Sequence, residues 1–176
     1  MRSLIKLMKE QRQFPVQKLT TLGLLTALAL AIYGLEAALP VPYPIPGFRL
    51  GLSNIITLAV LRRYGFRDSA LVLLARILLG ALLFGQILSL LYSAVGGFLC
   101  LLAEAGLERL LQKRYLYLTG SAGGMIHNLG QILVAILLTG SVAPLVYLPY
   151  LIPLGILTGL FMGLCSHFLL QFLQKL

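Results

Sequence analysis

Acidic residues are scarce in this sequence of 176 residues, and tryptophan is absent. Five residues are Asp or Glu, and Asp68 is the single aspartate. Enzymes that hold a diphosphate through Mg²⁺ use several carboxylates, so this scarcity argues against such an active site. The sequence also lacks a Walker A loop, an HExxH motif and a GxSxG motif. We therefore expect no catalytic residues, no ATP hydrolysis, and no cofactor or metal.

Charge of both signs is scarce, whereas apolar residues are abundant. Charged residues make up 11% of the chain and hydrophobic residues 59%, against about 25% charged residues in soluble domains. A soluble fold of this size cannot bury so much apolar surface. The composition excludes a cytosolic globular enzyme, a disordered tail and a secreted disulfide scaffold. It predicts an all-α integral membrane protein, in which Cys100 and Cys165 are small packing residues.

Six apolar runs divide the chain, at 19–39, 50–61, 69–84, 86–108, 119–139 and 145–173. At about 1.5 Å per residue, four of them are long enough for a hydrocarbon core of about 30 Å, and the second and third are short. Short runs can cross where the flanking loops dip inward and are covered by protein. We predict one domain of six transmembrane helices at 19–176. A basic segment at 1–18 precedes it and can form an amphipathic helix on the membrane.

The basic residues predict the orientation of these helices. On the six-helix topology, 12 of the 14 Lys and Arg residues fall on one side, in 1–18, 62–67, 109–114 and at Lys175. The positive-inside rule places that side, with both termini, in the cytoplasm. The same clustering accounts for the net charge of +9 without a nucleic-acid partner. The sequence therefore predicts a multi-pass protein of the cell membrane that contacts the lipid bilayer.

Proline is concentrated in two predicted outer loops. Residues 40–49 hold four prolines within seven positions, which makes that loop stiff and extended. Residues 140–153 form the second loop, and the strings at 42–46 and 149–153 are alike, through an internal repeat or by chance. We expect 40–49 to be a lid over a pocket, with Gly47 and Gly51 as hinges.

Small residues recur at every fourth position in four of the predicted helices, a pattern that lets helices approach closely. Internal packing accounts for most of these stripes, although one stripe could face another subunit. The stripes are Gly23, Ala27 and Ala31; Ser89, Ser93 and Gly97; Gly120 and Gly124; and Gly155, Gly159 and Gly163.

Polar residues within the predicted spans are the candidates for function, because each is costly in lipid. Arg76 and Gln131 each lie about 12 Å, and Asn128 about 16 Å, below the outer end of their helices. Two explanations compete. The polar groups either bond between helices, with Arg76 paired to Glu36 or to free carbonyls, or they line a cavity open to the outside. We favour the cavity, although His127 taken alone suggests a structural role. Its predicted lining is Glu36, Arg49, Asn54, Arg76, Tyr92, His127, Asn128 and Gln131.

The charge of that predicted cavity indicates its ligand. The formal charges of Glu36, Arg49 and Arg76 sum to +1. We therefore expect a small anionic ligand, held by two hydrogen bonds from the guanidinium of Arg76.

At the cytoplasmic end of the fourth helix, Glu104 and Glu108 are predicted to lie on an interfacial face with local ion pairs. Asp68 is predicted to cap the third helix.

Several strings in the chain resemble one membrane family. They are PIPGFRLGLSNI at 44–55, RILLGALLFG at 76–85, LYSAVGG at 91–97, HNLGQ at 127–131 and GILTGLFMG at 155–163. Together they are similar to the Gx transporter family, also described as heptaprenyl diphosphate synthase component I. The resemblance runs from about residue 19 to residue 173.

The resemblance implies a fold and a role. The family is grouped with the substrate-binding S components of energy-coupling factor transporters. These are six-helix proteins that dock on a transmembrane coupling subunit driven by two cytoplasmic ATPases. The docking motif of their first helix has its match at Ala27 and Ala31. The alternative role is a non-catalytic accessory protein of isoprenoid or quinone metabolism. A third hypothesis is an enzyme of prenyl transfer. The sequence argues against it, because it has no cluster of carboxylates.

Overall fold

The computed structural model describes residues 2–38, 48–85, 87–111 and 115–174, and within these ranges the chain is helical without strands. This confirms the predicted all-α class. A short 3₁₀ helix, Ala143–Tyr147, leads into the last helix. The α-helices are α1 Arg2–Ala38, α2 Asn54–Tyr64, α3 Phe66–Phe84, α4 Ile87–Leu110, α5 Leu116–Thr139 and α6 Leu148–Leu173.

In the part of the chain that the structure describes, four segments are long and apolar enough to cross a membrane. They are Val16–Ala38, Leu88–Leu110, Leu116–Thr139 and Ala143–Leu173. In contrast, α2 has 11 residues and rises only about 16 Å, roughly half of a hydrocarbon core. Helix α3 is longer, at 19 residues, but it carries three charged residues, Arg67, Asp68 and Arg76, which are costly in lipid. The membrane character predicted from composition is supported, whereas six crossings and cytoplasmic termini stay predictions.

Helix α2 lies at the centre of the bundle, in contact with α1, α3, α4 and α6. Every residue from Asn54 to Leu61 is buried, including the apolar core residues Ile56, Leu58 and Val60. An all-round apolar helix is stable only where other helices surround it. The position of α2 therefore places its first residue, Asn54, inside the bundle rather than at its surface.

The glycine stripes of α5 and α6 pack against each other. A Cβ at Gly124 would overlap the carbonyl oxygen of Gly155, and one at Gly120 would overlap that of Gly159. A Cβ at Gly163 would lie 2.7 Å from the Cα of Tyr117. The two backbones therefore touch along the stripes, which confirms the internal-packing interpretation for this pair of helices.

The basic segment 1–18 and the first apolar run are continuous in one helix that begins at Arg2, and the placement of 1–18 on the membrane stays a prediction. Two other local predictions were wrong. The second outer loop is shorter than 140–153, because α6 already begins at Leu148, and Pro149 suits the first turn of a helix. Asp68 lies in the first turn of α3 but makes no capping hydrogen bond. Its carboxylate instead pairs with the ammonium of Lys18 at 2.7 Å.

The two glutamates of α4 are placed differently from the prediction. Glu104 is fully buried, and its side chain packs against Gly123 of α5 rather than lying on an interfacial face. Glu108 is also buried, and it pairs across the bundle with Arg62 of α2 at 2.5 Å. We call the end of the bundle that carries Lys18 and Arg62 the basic end, and the opposite end the far end.

Candidate functional site

An irregular segment, Phe48–Ser53, enters the far half of the bundle just before α2. Phe48, Arg49 and Ser53 are buried, although the segment forms no helix. Irregular backbone at membrane depth persists only where protein groups satisfy its N–H and C=O groups. The hydrogen bonds of this segment therefore decide how the polar side chains around it are used.

Glu36 of α1 satisfies one side of the segment. Its two carboxylate oxygens accept hydrogen bonds from the backbone N–H of Gly51 at 3.0 Å and of Leu52 at 3.2 Å. Glu36 is 2% exposed, so these bonds replace water around a buried carboxylate. Arg49 and Arg76 add electrostatic attraction from nearby.

Gln131 of α5 holds the other side of the segment. Its amide nitrogen donates to the carbonyl oxygen of Arg49 at 2.7 Å, and its amide oxygen accepts from the Arg49 N–H at 2.8 Å. The guanidinium of Arg49 donates from Nε to the hydroxyl of Ser89 at 2.8 Å and from Nη1 to the carbonyl of Tyr33 at 3.3 Å. It also stacks on the Tyr33 ring, 4.3 Å from the centroid. Arg49 is thus fixed through both its main chain and its side chain.

Arg76 of α3 reaches the start of α2. Its guanidinium donates to the hydroxyl of Ser53 and, at 3.1 Å, to the side-chain oxygen of Asn54. The Nε atom of Arg76 is buried and has no hydrogen-bond partner among the described residues. Glu36 and Arg76, both described, form no direct ion pair. The pairing considered for these two residues was wrong, because Glu36 is occupied by the backbone of the irregular segment.

His127 of α5 completes the polar contacts on the side of α4 and α5. Its Nδ1 lies 3.4 Å from the side-chain nitrogen of Asn54. Its Nε2 has no partner in the described part of the chain and faces the Cα of Gly51, where a Cβ would come within 2.8 Å. Gly51 also has a φ of +79°, so steric contact and backbone conformation both require glycine at this position.

The structure brings together six of the eight predicted site residues. Asn128 and Tyr92 lie apart. Asn128 faces α6, where it donates to the carbonyl of Leu151 at 2.7 Å. Tyr92 is buried among apolar residues that include Phe48. We call the assembled group the buried polar cluster; it consists of Glu36, Arg49, Asn54, Arg76, His127 and Gln131 with their partners Tyr33, Ser53 and Ser89.

The sequence prediction missed three members of this cluster. Tyr33 lies three residues before Glu36, a helical spacing that places both on one face. Ser53 directly precedes Asn54, and Ser89 was interpreted only as a small packing residue. The predicted lid, 40–49, falls mostly on residues 39–47, which lie outside the described residues. Only its inner end, from Phe48 onward, is placed by the structure.

The predicted docking residues lie outside the buried polar cluster, on the surface of α1. Ala27 and Ala31 are exposed on the outward side of α1, as is Gly23, where a Cβ would meet nothing within 4 Å. Groups of three or more His, Cys, Asp or Glu side chains that could hold a metal ion do not occur among the described residues.

Comparison with known families matches residues 25–169 to a family described as Heptaprenyl diphosphate synthase component I. The matched range includes every residue of the buried polar cluster. Comparison with curated proteins gives no match, and neither does comparison with solved structures.

Proposed function

We propose that this chain, which belongs to the heptaprenyl diphosphate synthase component I family, is a substrate-binding membrane subunit for the uptake of a small anionic molecule. The observation that carries the proposal is the charge of the buried polar cluster. Among the described members of this cluster, Arg49 and Arg76 are cationic and Glu36 is the one carboxylate, and all three are buried. Such an excess of positive charge is costly away from water, and an anionic ligand would offset that cost.

Arg76 is the residue best suited to hold the anion. Its position is fixed by Ser53 and Asn54, and its Nε is still available to an acceptor. A planar guanidinium binds a carboxylate or phosphate with two parallel hydrogen bonds. The Nε2 atom of His127 is also buried without a hydrogen-bond partner among the described residues. These groups support recognition of an acidic group on the ligand.

The segment Phe48–Ser53 supplies a gate for this site. Glu36 and Gln131 hold it by bonds to its backbone, so its release exposes Arg49 and Arg76 together. A ligand that bonds to these side chains would replace contacts that the segment makes in the closed bundle. Binding energy would therefore be coupled to movement of the segment and of the lid that precedes it.

The partner in this proposal is a transmembrane coupling subunit with cytoplasmic ATPases. The exposure of Ala27 and Ala31 on α1 supports a helix contact there, since small residues let a partner helix approach closely. Ala27→Leu is expected to leave folding and ligand binding intact and to abolish co-purification with the coupling subunit. A variant that fails to fold would instead assign the stripe to internal packing.

Native mass spectrometry of the purified protein tests the binding role. The wild type is expected to retain a small acidic molecule, and its affinity is expected to fall in the order wild type, Arg76→Lys, Arg76→Gln. Arg67→Gln is the matched control, because Arg67 is an exposed arginine of the same helix at the basic end. An Arg76→Gln protein that retains the molecule as well as the wild type would refute the site.

A second role is favoured by the family description itself, which names a component of heptaprenyl diphosphate synthase. In that role the chain is a non-catalytic membrane accessory protein that handles an isoprenoid within the bilayer. The same native mass spectrum separates the two roles. A retained prenyl lipid supports the accessory role, whereas a retained water-soluble anion supports uptake.

A further inference from the structure

Two clefts open at the basic end of the bundle, far from the buried polar cluster. The larger, of about 500 Å³, is bounded by α1, α2 and α6, and its volume is within the usual range for ligand pockets. The second, of about 400 Å³, lies between α2, α5 and α6. Arg63 lines both of them, so this one side chain separates two adjoining spaces.

The described residues that line these clefts include cations and hydrogen-bond donors but no acidic side chain. The cations are Lys18, Arg62 and Arg63. Lys18 pairs with Asp68 and Arg62 with Glu108, so Arg63 is the cation of the three without an ion pair among the described residues. The neutral polar lining comes from Gln17, Thr20, Thr21, Tyr64, His167, Gln171 and Gln174. Hydrogen-bond donors and positively charged side chains are the groups that bind the oxygens of a phosphate.

The cations of the larger cleft, Lys18 and Arg63, are exposed to solvent and also contact Tyr64. Lys18 and Arg63 both lie over the ring of Tyr64, at 5.8 and 5.5 Å from its centroid. The Nε of Arg63 donates to the Tyr64 hydroxyl at 3.1 Å, and Lys18 pairs with Asp68 at 2.7 Å. Because Arg63 has no carboxylate partner among the described residues, its charge can attract an anion that enters the cleft.

The position of the larger cleft indicates where its ligand comes from. Val16 and Lys18 stand at the start of the candidate span of α1, and Leu173 stands at the end of that of α6. Residues at the ends of a span lie at the level of the lipid headgroups. Leu19 and Phe172, both more than half exposed, are sequence neighbours of the lining residues Lys18 and Leu173. A lipid can therefore place its phosphate in the cleft and its chains along these residues.

We propose that the cleft around Arg63 is a binding site for a phosphate group carried by an anionic membrane lipid. The site does not depend on the proposed uptake role, because it shares no residue with the buried polar cluster. The recognised chemistry is a phosphate with net negative charge. A free phosphate ion presents the same chemistry, and the experiment below distinguishes the two sources.

Lipid retention measured by native mass spectrometry tests the site. Purified full-length protein is released from micelles that contain equal amounts of phosphatidic acid and phosphatidylcholine. The wild type is expected to retain phosphatidic acid preferentially, and Arg63→Gln to lower this retention about tenfold, the loss expected for one charge-assisted hydrogen bond. Arg67→Gln removes an exposed arginine that does not line the cleft, and it is expected to retain the lipid like the wild type.

Competition identifies the source of the phosphate. If added inorganic phosphate displaces phosphatidic acid from the wild type but not from Arg63→Gln, the phosphate group alone is recognised. If inorganic phosphate does not displace it, the lipid chains are part of the site, which also supports the proposal. Equal retention of both lipids by the wild type would overturn it. Equal losses in Arg63→Gln and Arg67→Gln would overturn it too, because they indicate a diffuse basic surface.

Discussion

Gln131 and Arg49 bond to each other in both directions, although 82 positions separate them in the sequence. The Gln131 amide donates to the carbonyl of Arg49 at 2.7 Å and accepts from its N–H at 2.8 Å. This pair of bonds joins α5 to the irregular segment Phe48–Ser53, and Glu36 of α1 supplies the corresponding bonds on the other side. The polar residues at the far end therefore hold a piece of backbone as well as each other.

Replacing Gln131 is expected to destabilise the protein. Gln131→Ala leaves a buried N–H and a buried C=O without partners, each at a cost of about 1–3 kcal/mol. We expect a loss of at least about 2 kcal/mol in the free energy of unfolding, measured with denaturant in detergent. Gln171→Ala is the control, because Gln171 is an exposed glutamine on α6. Equal stabilities of the two variants would show that the two bonds contribute nothing.

Glu36 is expected to control the opening of the irregular segment. In Glu36→Gln only the amide oxygen can accept a hydrogen bond, so one of the two backbone N–H groups of Gly51 and Leu52 loses its acceptor. Hydrogen exchange followed by mass spectrometry should show faster exchange in a peptide that covers 48–53. Peptides from the α5–α6 contact should exchange as in the wild type. Unchanged exchange at 48–53 would contradict the role assigned to Glu36.

The contact between α5 and α6 is expected to reject even one methyl group. In Gly124→Ala the new Cβ would overlap the Gly155 carbonyl and lie 2.9 Å from the Cα of Gly159, so the helices must separate, at a cost of about 1–3 kcal/mol. Gly106→Ala is the matched control on α4, where a Cβ meets nothing within 4 Å. It should stabilise the protein by up to about 1 kcal/mol through helix propensity. Thermal unfolding of both variants measures the difference, and similar melting temperatures would refute tight packing.

The two ion pairs at the basic end are expected to differ in strength. Arg62–Glu108 is largely buried, at 21% and 6% side-chain exposure, whereas Lys18 of the Lys18–Asp68 pair is 44% exposed. Glu108→Gln should cost about 1.5–3 kcal/mol, the range for hydrogen bonds to charged groups. Asp68→Asn should cost about 1 kcal/mol or less, because solvent screens an exposed pair. Double-mutant cycles with Arg62→Gln and Lys18→Gln measure the two couplings, and equal values would contradict the prediction.

Composition and residue spacing were sufficient to predict the helical class, four of the candidate membrane segments and most of the polar residues that meet at the far end. The length of an apolar run and the cost of a polar group in lipid can both be judged from local sequence. These criteria were enough to select six residues of the buried polar cluster: Glu36, Arg49, Asn54, Arg76, His127 and Gln131. The same reasoning identified the glycine stripes, because small residues at every fourth position lie on one side of a helix.

The hydrogen-bond partner of each polar group depends on how the helices pack, which sequence patterns do not show. Depth along a helix does not tell which way a side chain faces, so Asn128 was grouped with Gln131 although it turns toward Leu151 of α6. The pairing of Glu36 with Arg76 matched their charges, but the unpaired N–H groups of Gly51 and Leu52 compete for the same carboxylate. Those N–H groups need a partner only because the segment enters the bundle without being helical, and that entry depends on contacts between distant parts of the chain.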